Sequence, residues 1–224
     1  MVKKFKYSQS VQNSLKSSVS EQRLSKFLQE TQGDLEKAFQ LYTWDTAISS
    51  AFYGPLQGVE VTLRNALHRE MTKLHDENWF DEPRCQLNYS SNLKIENAKK
   101  ELRKAKKPLE SGRIVAELSL GFWVSLLGSG GKKYNYEMNL WRPALYKASP
   151  HKKLSRKEAH KRLDFLRNFR NRIAHHEPIF HRDLKADYKS ILEVSGWICP
   201  DTAKWIEHHS RVEEILKTEE VDFI

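Results

Sequence analysis

The chain has 224 residues, 39% of them hydrophobic, which is enough for a buried core. Its two cysteines, Cys85 and Cys199, lie far apart and outside any Cys-x-x-Cys spacing, which suggests neither a disulfide framework nor a thiolate zinc site and fits a reducing, cytoplasmic setting. Lysine and arginine outnumber aspartate and glutamate by 38 to 29, a net charge of +9, which favours polyanionic partners such as nucleic acid.

Residues 1–17 are basic and rich in Ser and Gln, without the apolar run of a signal peptide, and are expected to form a flexible arm. A single domain is expected over 18–217, with a short tail at 218–224. Ser18 and Glu21 have capping-box spacing and predict a short helix carrying Leu24, Phe27 and Leu28. After Gly33, Asp34 opens a second helix with Leu35, Ala38, Phe39, Tyr42, Ile48, Ala51 and Phe52 at helical intervals, expected to end before Gly54-Pro55. A third helix is predicted from about Pro55 to His75, with Leu56, Val59, Leu63, Leu67 and Leu74 on one stripe. Glu70 falls inside that stripe and Glu60 on its border.

Asn78 to Ser91 reads as a loop, and Asn92 to Lys107 as a charged, solvent-facing helix. Ser111 to Leu127 is apolar nearly all round and is predicted to be the most buried helix. Its polar interruptions, and a length short of the ~20 residues that cross a bilayer, argue against a membrane partner. Gly128 to Pro150 is a Gly-rich turn followed by an aromatic and basic loop. Lys132, Lys133 and Arg142, together with Lys152, Lys153 and Arg167, are candidate RNA-backbone contacts, and rings such as Tyr134 suit stacking on unpaired bases. Equally, Trp141 and Tyr146 would anchor the loop on the core. The glycines lack P-loop spacing and no strand precedes them, which excludes a nucleoside triphosphatase. Ser155 to about Glu177 is the next helix, with Glu158 completing a capping box and Pro178 ending it. Two or three shorter helices are predicted around Leu184 to Trp197 and Pro200 to Leu216. No strand alternation or internal repeat is found, and the fold expected is all-α.

Within the Ser155 helix, Ala159, Leu163, Leu166, Phe169 and Ile173 form an apolar arc at ~100° per residue, and Arg170 falls inside it. A guanidinium on such a face needs a carboxylate or a wet interface, and Glu60 or Glu70 of the third helix would supply the carboxylate. Asn171 and His175 are one helical turn apart on the edge of the arc; Arg172 and His176 form a second pair that projects away from it. A histidine suits proton transfer to or from a ribose hydroxyl, an arginine fork suits phosphate oxygens, and an asparagine can hold either by hydrogen bonds. Such chemistry needs no metal or other cofactor. His175, His176, Glu177 and His181 offer ligand atoms, but consecutive histidines on a helix diverge too far to share an ion.

Several segments resemble the Abi-like proteins of bacterial abortive infection, of the AbiD/AbiF type. They are Gly33-Asp34 through Leu41-Tyr42 and Trp44; Ala51-Phe52-Tyr53 with Pro55-Leu56-Gln57; Glu60 with Leu63-Arg64-Asn65; and Gly121-Phe122-Trp123. The most specific is Arg170-Asn171-Arg172-Ile173-Ala174-His175-His176-Glu177-Pro178-Ile179-Phe180. The resemblance implies a HEPN-type helical bundle with additional helices and a metal-independent endoribonuclease that leaves a 2′,3′-cyclic phosphate. It implies Arg170, Asn171 and His175 as catalytic residues; His176 and Arg172, from their spacing, and Glu60 and Glu70, as partners for Arg170, are candidate supporting residues. It also implies a homodimer with a composite site, an RNA substrate and, for some members of a phage-defence toxin system, an RNA antitoxin. Motif spacing favours His175 over His176. The alternative is a non-catalytic RNA-binding or regulatory protein of the same fold; a helical scaffold for another protein would leave Arg170 on its apolar face unexplained.

Overall fold

The computed structural model describes residues 5–222, and among them there are helices and turns but no strand. The helices are α1 Gln9–Val19, α2 Glu21–Glu30, α3 Leu35–Leu74, α4 Tyr89–Lys104, α5 Ser111–Glu117, α6 Leu120–Leu126, α7 Arg156–Ala174, α8 Leu184–Ile198, α9 Pro200–His209 and α10 Val212–Asp222. None of these is long and apolar enough to cross a membrane. The chain forms two compact units: Met1–Tyr53, Arg172–Leu184 and Ser210–Ile224 make the first, Gly54–Asn171 and Lys185–His209 the second.

In the first unit, α1 occupies much of the segment expected to be an arm, capped by the Ser8 side chain and burying none of its residues. The cap of α2 is Ser20 rather than Ser18, whose hydroxyl donates back to the Leu15 carbonyl inside α1. The core holds Leu24, Phe27, Phe39, Trp44, Ile48, Phe52 and Ile179, all at most 6% exposed. Trp44 Nε1 donates to the Ile215 carbonyl at 3.3 Å, which ties α10 in.

The second and third helices expected from the sequence are one, α3, with Pro55 inside it. Proline forfeits one helical hydrogen bond, but the preceding Gly54 has no Cβ to clash with the proline ring, so the helix continues. The Gly-Pro step marks the boundary between the units instead of a helix end.

In the second unit, the buried stripe of α3 runs through Leu56, Val59, Leu63, Leu67 and Met71, whereas Leu74 is 40% exposed. The presumed loop 78–91 is core: Trp79, Phe80, Cys85 and Leu87 are buried in and beside two 3₁₀ turns. Trp79 Nε1 donates to His68 Nδ1 at 2.9 Å, and its ring lies 6.1 Å from Trp123. Likewise α4 is not simply solvent-facing, since it buries Ile95, Ala98, Leu102 and even Lys99, which pairs with Asp81 and with Glu96 at 3.0 Å.

The segment Ser111 to Leu127 is two helices, broken where Leu118 and Ser119 become extended. No Gly or Pro marks the break; it is held by Trp123 Nε1 donating to the Leu118 carbonyl at 3.1 Å and by Leu120 N–H donating to Glu60 at 3.2 Å. Arg156 at the start of α7 is buried, bonded to Glu137 at 3.0 Å and to the Leu127 carbonyl at 2.6 Å, and so pins both ends of the Gly-rich excursion. Of the two or three helices expected after Leu184 there are three, α8, α9 and α10.

Candidate functional site

α7 begins as its sequence predicts, with Ser155 N–H and hydroxyl donating to Glu158 at 2.8 and 2.6 Å, and Glu158 N–H donating to the Ser155 hydroxyl at 3.2 Å. Ala159, Leu163, Leu166 and Phe169 are buried in the second unit. Arg170, next on the chain, keeps its side chain 40% exposed and places Nε 3.3 Å from Glu60 Oε2. The other oxygen of Glu60 accepts the Leu120 N–H. One carboxylate thus closes the N-terminus of α6 and orients the arginine. Glu70 takes no part: it is buried between Lys73 at 2.9 Å and Arg69 at 3.2 Å. Burial would raise its carboxyl, but the hydrogen bonds from Lys73 and Arg69 outweigh this and hold it below the ordinary value. Asn171 is partly exposed.

The remainder of the motif belongs to the first unit. α7 stops at Ala174, not near Glu177, and the histidines are its terminator. His176 N–H donates to the Ile173 carbonyl at 3.0 Å and Glu177 N–H to the Arg172 carbonyl at 2.8 Å, the two bonds of a Schellman motif with His176 at φ 56°. A glycine would adopt that left-handed conformation at less cost. The apolar contact that often closes this motif is replaced by an ion pair, Arg172 Nη2 to Glu177 at 3.5 Å. Arg172 also donates to the Pro178 carbonyl at 3.3 Å, so it is committed to the turn. His175 caps the helix with its imidazole exposed, and the His176 side chain is exposed as well.

Downstream, the chain is fastened by groups the sequence analysis did not single out. Asp45 Oδ1 accepts the N–H groups of Ile179 and Phe180, both at 2.8 Å, and Arg23 donates to the His176 carbonyl. Burial pushes the Asp45 carboxyl up, opposed by those two backbone bonds. A signal for Asp45 existed: it is a carboxylate on the buried stripe of Leu41, Ile48 and Phe52, the same anomaly that drew attention to Glu70. Among the described residues no group of three or more His, Cys, Asp or Glu side chains gathers as a metal site would.

The model of the Abi-like protein family matches residues 3–181, a span that contains the whole motif and the strap that follows the histidine turn, 178–181. The chain belongs to the Abi-like family. No curated protein and no solved structure matches it. Membership points to abortive infection, the defence of bacteria against phage.

The basic residues expected along the surface of this Abi-like protein divide into two groups. Lys132, Lys133, Lys152 and Lys153 are exposed, with Lys133 5.5 Å from the Tyr134 ring centre. Arg142 and Arg167 already have carboxylate partners, Glu137 at 3.3 Å and Asp164 at 2.8 Å. Of the rings in that loop, Tyr136 and Trp141 are buried and Tyr146 is 48% exposed, so the anchoring alternative holds for Trp141 and not for Tyr146. Tyr136 accepts the Asn88 N–H at 2.8 Å, locking the loop to the start of α4.

Proposed function

We propose that this Abi-like protein is a HEPN-type, metal-independent endoribonuclease of a phage-defence system. The observation that carries the reading is the end of α7, where Arg170 is held by Glu60 and His175 stands exposed on a rigid turn. In this reading His175 removes the proton of a ribose 2′-hydroxyl. The resulting oxygen attacks the adjacent phosphorus, the bond to the 5′-oxygen breaks, and a histidine returns a proton to that leaving oxygen. The products are a 2′,3′-cyclic phosphate and a 5′-hydroxyl end. Arg170 gives its forked N–H groups to the phosphate oxygens as charge accumulates, and Asn171 holds the phosphate or the imidazole by hydrogen bonds. Base, acid and charge stabiliser are all side chains, so the chemistry closes without a metal.

One histidine cannot be both base and acid in one step. A second copy of the chain supplies the other, with two Arg170 and two His175 around one phosphate in a twofold dimer. The test is RNA cleavage in EDTA by wild type beside Arg170→Ala and His175→Ala, with folding and assembly state checked. Each substitution is expected to lower the rate by about 10² to 10⁴-fold. Mixing the two inactive variants restores a fraction of the activity if the site is shared between copies. Cleavage that persists in both folded variants overturns the assignment.

A further inference from the structure

The first unit contains a cleft that the cleavage chemistry does not use. The turn between α2 and α3 faces the strap behind the histidine turn across a cavity of about 810 Å³, lined among others by Glu30, Gln32, Asp34, Lys37, Phe180 and His181. Its size falls within the roughly 300–1,000 Å³ of small-molecule sites.

The lining is mixed in a telling way. The Phe180 and His181 rings meet edge to face at 5.4 Å, so together they offer a flat face beside an edge. Asp34 spends one oxygen capping α3, at 3.0 Å from the Lys37 N–H. Glu30 has no ion-pair or hydrogen-bond partner among the described residues, so both its oxygens are available as acceptors. Burial, then the fields of Arg172, Lys26 and Arg182, keep the His181 imidazole below its ordinary value, so at neutral pH it is an uncharged ring among cations. Phe180 itself is fixed from behind, by the Phe27 ring at 5.1 Å and by Asp45 on its N–H.

A ring face with a ring edge beside it, carboxylate acceptors and the Lys37 cation form the recognition set for one nucleotide: face for the base, acceptors for its amino edge, cation for its phosphate. A carboxylate accepts two parallel N–H groups, and among the four bases guanine alone presents such a pair on its pairing edge. We infer that this cleft is a base-selecting subsite for the RNA, taking a guanine on the Phe180–His181 rings with its N1 and N2 protons on Glu30. The inference rests on the ribonuclease reading and adds to it the substrate feature that is recognised. The strap joins the two, because Phe180 and His181 follow His175 on the same short segment.

The experiment is calorimetric binding of the four nucleoside 5′-monophosphates to wild type, Glu30→Gln and His181→Ala, both substitutions being at exposed positions, with the fold of each variant checked by thermal melting. GMP is expected to bind wild type at least ~10-fold more tightly than UMP. Glu30→Gln removes that preference, and His181→Ala weakens all four together. Equal binding of GMP and UMP, no binding of any, or a preference that survives Glu30→Gln overturns the inference. The readout is binding rather than cleavage, so the two proposals fail separately. RNA cleaved through His175 without base preference sinks the subsite alone, and GMP selectivity in a protein that cuts no RNA sinks the nuclease alone.

Discussion

Arg170 and the histidine turn that follows it are held by unlike means. The turn is fixed through its backbone: two Schellman bonds, two N–H groups on Asp45 and a carbonyl on Arg23. Arg170 is fixed through its side chain, 40% exposed, by one ion pair to Glu60. Backbone anchoring by a buried carboxylate sets where the chain runs and is costly to remove, while a half-exposed ion pair sets only where a side chain points. His175 therefore sits on a backbone frame, and Arg170 on a side-chain pair alone.

The comparison predicts a graded series of losses. Asp45→Ala orphans two N–H groups, that of Ile179 fully buried, and is expected to cost about 2–4 kcal/mol in urea unfolding and to lower cleavage with it. Asp45→Asn, which keeps one acceptor, costs less. Were the two substitutions equal and mild, the turn would not depend on that carboxylate. Gly130→Ala comes next, at roughly 1–3 kcal/mol, because Gly130 has φ +82° and an added Cβ would lie 2.4 Å from the Tyr134 carbonyl oxygen. It tests the loop scaffold of the second unit and should leave RNA chemistry in the folded fraction unchanged.

Acidification probes both units by a different route. His68, where Nδ1 accepts from Trp79, and His181 both lie below the ordinary 6.5, chiefly through burial. The unfolded chain therefore binds more protons than the folded one between each depressed value and 6.5. Stability intact above that range is lost as the pH falls through it. Asp45, raised by burial above the ordinary 3.8, has the opposite sign, and lowering the pH through its own window adds stability. In melting curves from pH 8 to about pH 5, His68→Gln should flatten the loss; an unchanged slope would show that the Trp79 contact does not depend on a neutral ring.

Glu60→Gln is expected to cost only about 0–1 kcal/mol for the Arg170 pair, yet to reduce cleavage ~10-fold, because the arginine loses its orientation. A rate equal to wild type would reduce Glu60 to a cap for α6. Smallest of all, Lys73→Ala removes an exposed partner of Glu70, which retains Arg69, and should change stability by less than ~1 kcal/mol and cleavage not at all.

Much of this was readable in the residues and some was not, for identifiable reasons. The need of Arg170 for a carboxylate on α3 followed from a charge on an apolar stripe, but the choice of Glu60 over Glu70 did not. Glu70 has Lys73 one turn away on its own helix, whereas Glu60 is drawn to the free N–H at Leu120. The break at Leu118-Ser119 was invisible because it carries no helix-breaking residue; a tryptophan indole and a distant carboxylate hold it open. Conversely Pro55 looked like a stop and was not, because Gly54 removes the clash that usually makes it one. Trp79 and Phe80 lay in a polar, loop-like stretch, and only the packing of Trp79 against Trp123 and Phe122, and of Phe80 against Trp79, reveals them as core.

By itself the sequence determined the helical class, the capping box that starts α7, the order of Arg170, Asn171 and His175, and the resemblance that the family match then established. These depend on residues within a turn or two of one another, where spacing and chemistry act directly. The tertiary structure alone decided which carboxylate faces Arg170, where α7 stops, and how Asp45 and Arg23 clamp the turn. Those are contacts between segments far apart on the chain, chosen by competition for buried hydrogen bonds that no local pattern records.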